Sequence, residues 1–225
     1  MKSPVFSRFA VVIAAVLGFS TFAFAGPPLI CHTIAIGQAR TLPWVDLNYR
    51  AGMGNYDLKN LTRDTLDILD SNPTVLVHME TLRRATIYAR QDSQVAKELI
   101  TRLHTRAESS PATSSGALAW FDVGYLAETY KQWIGDGEPN PARSFDGYGW
   151  VKKAIALRGS DPEMEFAAAL ITTLSGPERD HKDQVQKAFA GAKTDPLLAQ
   201  NLASNFGHQT ISSLLTHTGN EELKK

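Results

Sequence analysis

The chain has 225 residues, with 23 Lys and Arg balanced by 23 Asp and Glu and a single cysteine. If Lys2 and Arg8 leave with a cleaved leader, the remainder carries a net charge of −2 (21 basic against 23 acidic residues), which gives no electrostatic footprint for nucleic acid or for an anionic membrane surface. The lone Cys31 excludes an internal disulfide, so the core must supply the stability of any domain formed here.

Residues 1–25 read as a secretory signal peptide. Lys2 and Arg8 form its positive start, an apolar run extends over 9–24, and Ala23-Phe24-Ala25 offers a small-x-small cleavage site. The run is shorter than the roughly 20 apolar residues that span a bilayer, so the expectation is export to periplasm or medium with no integral anchor in the mature chain. Residues 26–56 form an irregular segment, interrupted by Gly26-Pro27-Pro28, Gly37, Pro43, Gly52 and Gly54. Within it, the β-branched Ile30, Thr33, Ile34 and Ile36 predict a short extended stretch over 29–36.

From residue 57 to about 215 the pattern is helical. Leu58, Leu61, Thr65, Ile68 and Leu69 mark one helical face, and Asn72-Pro73 ends it. Val75, Met79, Leu82, Ala85 and Ala89 mark the next face. Asp92 then reads as the N-cap of a helix striped by Ala96, Leu99, Ile100, Leu103 and Ala107, antiparallel to the one before. A Ser-rich loop over 109–116 precedes an aromatic helix over 117–133, and a second loop over 135–141 follows it. Four more helices are predicted over 145–158, 161–174, 177–192 and 195 to about 215, with a polar tail at 216–225. Asp161-Pro162 and Asp195-Pro196 read as N-cap plus first helical residue, because the carboxylate accepts from free amides and proline gives up no needed donor.

These two Asp-Pro pairs lie 34 residues apart and close an echo: Val151 to Pro162 recurs as Val185 to Pro196. A period of this size is what stacked helical hairpins produce, and such stacks commonly hold a partner on the surface they create. Over about 75–206 the chain resembles the tetratricopeptide-type repeat. Trp120 and Gly124 match its bulky-then-small opening, and Ala154-Ile155-Ala156-Leu157 matches its closing helix. Gly124, Ala169 and Ala203 in first helices, and Ala154 and Ala188 in second helices, fall where that family packs small residues. The resemblance implies an all-α fold, a short solenoid of stacked antiparallel hairpins. The repeats are degenerate, since the 135–141 loop enlarges one hairpin, His181 stands at a small-residue position, and Gly159 and Lys193 replace the helix-ending proline. The whole chain also resembles exported bacterial proteins, a likeness that carries no activity with it.

Chemistry-bearing patterns are sparse. Thiolate and imidazole at Cys31-His32 suit a soft metal, but two adjacent ligands do not make a site, and the histidines at 78, 104, 181, 208 and 217 form no HExxH or HxxxH pair. No GxSxG elbow or phosphate loop is present, and Glu163 with Glu165 fits the start of a helix. The expectation is therefore a protein or peptide interaction module with no catalytic residues, metal or cofactor. Its contact residues are read as Arg83 and Arg84 with Trp120, Tyr125, Tyr130 and Trp133 on a concave face. Arg83, Arg84 and Arg90 form a basic edge suited to an acidic peptide or carboxylate. The rings at 120, 121, 125, 130 and 133 exceed one core stripe, so that helix is either sandwiched between layers or presents a binding surface. Two other readings stand beside this one: a small-ligand or metal-dependent enzyme using Cys31 and His32, and a structural subunit of an envelope assembly docked through its N-terminal segment.

Overall fold

The computed structural model describes residues 26–44, 56–134 and 139–207. The predicted leader, part of the irregular segment, part of the second loop and the polar tail lie outside the described residues. The longer helices follow the apolar stripes, and several begin at a capping side chain. In chain order they are α1 (Pro28–Cys31), α2 (Leu61–Ser71), α3 (Val75–Ala89), α4 (Ser93–Glu108), α5 (Ala117–Trp133), α6 (Gly147–Arg158), α7 (Pro162–Ser175), α8 (Glu178–Ala192) and α9 over 196–207. Single 3₁₀ turns at Leu58–Asn60 and Ser114–Gly116 lead into α2 and α5.

The three aspartates predicted as N-caps act as such. The amides of Gln94 and Val95 donate to Asp92, those of Glu163 and Met164 to Asp161, and those of Leu197 and Leu198 to Asp195. Each such cap stabilises its helix by about 0.5–2 kcal/mol. At the other end of α6, Gly159 takes the left-handed conformation at φ 85°, which glycine reaches without a Cβ clash. The extended stretch predicted over 29–36 is a correction. Pro28 starts a helical turn that runs to Cys31, and 33–36 has no regular structure, because these residues bond to helix side chains rather than to a neighbouring strand. No strand occurs among the described residues.

The fold is all-α and built of antiparallel hairpins. In the α5–α6 pair, Gly124 faces Gly147 and Val151 so closely that a Cβ would lie 2.7 Å from the Gly147 carbonyl oxygen and 2.9 Å from the Val151 nitrogen. In the α7–α8 pair, Gly191 meets Pro162 while Thr172 bonds His181 and Gln184, which fixes the opposite chain directions. Helices α3, α5 and α7 are buried on nearly all sides: 14 of the 15 residues of α3 are buried, and 164–172 of α7 are buried without a break. By contrast α6 buries only Gly147, Val151 and Ala154, and α8 only Gln184, Val185 and Ala188. This produces an inner layer of α3, α5 and α7, each touching the other two, with α4, α6 and α8 outside. The short helix α1 touches all three inner helices, so the N-terminal segment covers the inner face. No helix among the described residues is long and apolar enough to cross a membrane.

Candidate functional site

Glu80, Arg83 and Arg84 share one face of α3 because residues three and four apart are helical neighbours. The Arg83 guanidinium grips Glu80 with two bonds, Nε to Oε2 at 2.8 Å and Nη2 to Oε1 at 2.9 Å, and its Nη1 donates to the Ile30 carbonyl at 3.0 Å. Arg84 bonds the same carboxylate through Nε at 2.7 Å and the Leu42 carbonyl through Nη1 at 2.6 Å. Glu80 Oε2 also accepts the Ile34 amide at 3.0 Å. Glu80 and Arg83 are both completely buried, which is tolerable because all three guanidinium nitrogens and both carboxylate oxygens have hydrogen-bond partners. Burial works to raise the Glu80 carboxyl, but the hydrogen bonds and charge of Arg83, the charge of Arg84 and the Ile34 amide win, and it lies below the usual carboxylate range.

All of these outward bonds end on the main chain of the N-terminal segment. Three further side chains do the same: Asn201 of α9 accepts from the Ala35 amide at 2.8 Å and donates to the Ala35 carbonyl at 2.9 Å, Gln132 of α5 accepts from the Leu29 amide at 3.0 Å, and the Tyr88 hydroxyl donates to the Pro43 carbonyl at 2.6 Å. Leu29, Ile30, Ile34 and Leu42 are buried beneath this framework, and the Trp44 ring lies against the guanidinium groups of Arg83 and Arg84 at 5.3 and 5.7 Å. The inner face is thus a clamp on a peptide main chain, and residues 28–44 of the same chain occupy it.

The contact residues expected from the sequence are separated by the fold. Arg83 and Arg84 meet on the clamp, but Arg83 is sealed from solvent and Arg84 retains only 18% side-chain exposure. Tyr125 and Tyr130 are fully buried within the layers. The Tyr125 hydroxyl has no hydrogen-bond partner among the described residues, and its pKa is pushed above the usual tyrosine range by burial and by the charge of Glu80. Trp133 is half-buried under the Arg90 guanidinium, 4.9 Å from the ring centroid. Trp120 faces elsewhere, with the Lys153 ammonium 3.3 Å from its ring centroid and Trp150 at 6.2 Å. Trp150 in turn packs on His104 at 4.9 Å and Phe145 at 5.2 Å, making a half-buried aromatic face on the outer layer. Of the two alternatives for the aromatic helix, α5 is sandwiched along most of its length.

Sequence reasoning missed Glu80, Tyr88, Gln132 and Asn201. The signal for Glu80 was present in its spacing to two arginines; none marked Asn201, which meets Ala35 across 166 residues of chain. Cys31 and His32 stand at the end of α1, and burial pushes the Cys31 thiol up against the opposing charge of Arg83. Among the described residues no group of three His, Cys, Asp or Glu side chains could hold a metal ion.

One buried cluster has the look of catalytic machinery. His78 Nδ1 bonds Asp122 at 2.5 Å, His78 Nε2 bonds the Asn72 carbonyl at 2.6 Å, and Arg106 bridges Asp122 and Asp70 at 2.6 Å each. Burial works to lower the His78 pKa, but Asp122 and the Asn72 carbonyl outweigh it and raise it. Both ring nitrogens face acceptors, an arrangement that suits a protonated ring donating twice, and the cluster ties α2, α3, α4 and α5 together. Compared with known family models, curated proteins and solved structures, the chain matches none.

Proposed function

We propose that this protein is an exported peptide-interaction module, a stack of helical hairpins whose inner face grips the main chain of a bound segment and carries out no chemistry. Export rests on the leader-like pattern of residues 1–25. The observation that carries the binding reading is Asn201, whose side-chain amide donates to the Ala35 carbonyl and accepts from the Ala35 N–H. A side chain that satisfies both polar groups of one residue reads main chain and leaves sequence choice to neighbouring apolar pockets, the division of labour seen when proteins bind extended peptides. The residues filling those pockets here are Leu29, Ile30, Ile34 and Leu42, which defines the partner as a peptide with similarly spaced aliphatic side chains.

A tethered segment competes with a free one at an effective concentration on the order of millimolar. The test is therefore made on a full-length chain carrying Ile34→Asp and Leu42→Asp, which unseat the resident segment. A labelled peptide of residues 28–44 should bind this variant. Adding Asn201→Leu should weaken binding by about thirtyfold, since two neutral hydrogen bonds contribute about 1 kcal/mol each net of exchange with water. A partner captured from the native envelope should be eluted by the same peptide. A helical variant that binds neither the peptide nor a partner the peptide displaces sinks the proposal.

A further inference from the structure

We propose that the cleft where the ends of α2 and α4 meet the start of α5 is a second binding site, one that takes a small carboxylic acid with an aliphatic tail on Arg106. The site is separate from the inner-face clamp, since none of the side chains that fasten residues 28–44 lines it. Its volume is about 290 Å³. That lies at the small end of the range of about 300–1,000 Å³ usual for ligand pockets, and suits a small molecule. Leu69, Pro73, Leu118 and Ala119 give the cleft an apolar side, and Arg106, Asp70 and Asn72 give it a polar one.

The guanidinium is held in place from behind. Arg106 Nη1 donates to Asp122, which is fully buried and is itself bonded to His78, so the charged head stays at the cleft while its stem belongs to α4. A guanidinium carries five N–H donors. In Arg106 only the two aimed at Asp122 and Asp70 have partners among the described residues, and the side chain is 26% exposed. Asn72 is fixed in the same way: its Oδ1 accepts the Thr74 amide at 2.9 Å and its main-chain carbonyl meets His78, while its Nδ2 has no partner among the described residues. The polar side of the cleft therefore offers preset donors that nothing fills. With the His78 ring protonated, His78, Asp122 and Arg106 together carry one positive charge, which the Asp70 carboxylate balances. The two carboxylates on Arg106 are not equivalent. Asp122 is sealed, whereas the Asp70 side chain is 62% exposed, and an exposed ion pair of this kind contributes little. An entering carboxylate takes the place of Asp70, gains the unfilled N–H groups through the forked geometry that guanidinium and carboxylate share, and lays its tail along the apolar side.

Calorimetric titration of the full chain with hexanoate tests the assignment. Hexanamide is the uncharged control, and tetra-alanine with a free C-terminal carboxylate distinguishes a chain end from a free acid. Hexanoate should bind once per chain and hexanamide should not bind. In Asp70→Asn, which removes the resident carboxylate from an exposed position and leaves the buried cluster intact, hexanoate should bind up to about fivefold more tightly. In Arg106→Lys, which keeps the charge and loses the fork, binding should fall by about tenfold or more. A thermal melt of each variant confirms that it is folded, and should Arg106→Lys fail to fold, Asp70→Asn decides the matter alone. Tighter binding of tetra-alanine than of hexanoate supports the carboxylate site and assigns its ligand to a chain end. Failure of both to bind the native chain, or hexanoate binding that Asp70→Asn does not strengthen, overturns the proposal.

Discussion

Helices α3 and α8 have 15 residues each, yet they follow opposite rules. In α8 only Gln184, Val185 and Ala188 are buried and the charges face outward, as an amphipathic stripe dictates. In α3 all but one residue is buried, including Glu80, Arg83 and His78, so the polar groups that would ordinarily define a solvent face are inside. The difference lies in what covers the second face. An outer helix leaves that face to water, whereas α3 is roofed by residues 28–44, and its charged side chains serve as the fasteners of the roof. Charge on a helix thus marks a polar environment, and water is only one such environment.

The largest effect expected from breaking this contrast is at Glu80. Glu80→Ala leaves the Arg83 guanidinium buried without its anion and should cost about 3–5 kcal/mol of stability by denaturant titration. The paired change Glu80→Leu with Arg83→Met should recover much of that loss while releasing the N-terminal segment. At the α5–α6 contact, Gly124→Ala drives a Cβ into the backbone of Gly147 and Val151, and overpacking of this kind should cost about 1–3 kcal/mol. A smaller and pH-dependent effect belongs to Glu163. Because burial raises its carboxyl in the folded chain, its contribution is full below about 4.5 and is lost as pH rises through about 7. The native chain should therefore lose on the order of 1 kcal/mol of stability relative to Glu163→Gln as pH rises over that interval, after allowance for screening. Asp161→Ala and Asp195→Ala should each cost about 1 kcal/mol as lost helix caps, and a thermal melt of either variant that matches the native chain would contradict the capping geometry.

Much of the fold was legible because its signals are short-ranged. The stripes of α2 to α8, the caps at Asp92, Asp161 and Asp195, and the close approach at Gly124 all depend on residues within a turn or two, or on the absence of a side chain. The site was half legible. Arg83 and Arg84 stood out as a pair, but their surroundings did not, since the Ile30 carbonyl that Arg83 bonds lies 53 residues upstream. Tyr125 and Tyr130 signalled an aromatic helix without saying that both layers would close over them. The aromatic face of His104, Trp120, Phe145 and Trp150 was equally hidden, because its rings come from three helices and a loop.

By itself the order of residues determined where helices start, stop and turn back, since a cap, a proline or a repeated apolar step acts through bonds and contacts within about one helical turn. Which faces meet water was decided only by tertiary structure. Burying an arginine depends on whether distant acceptors arrive to replace its hydration, and for Arg83 those are Glu80 and the main chain at Ile30, brought together when the N-terminal segment lies across the inner helices.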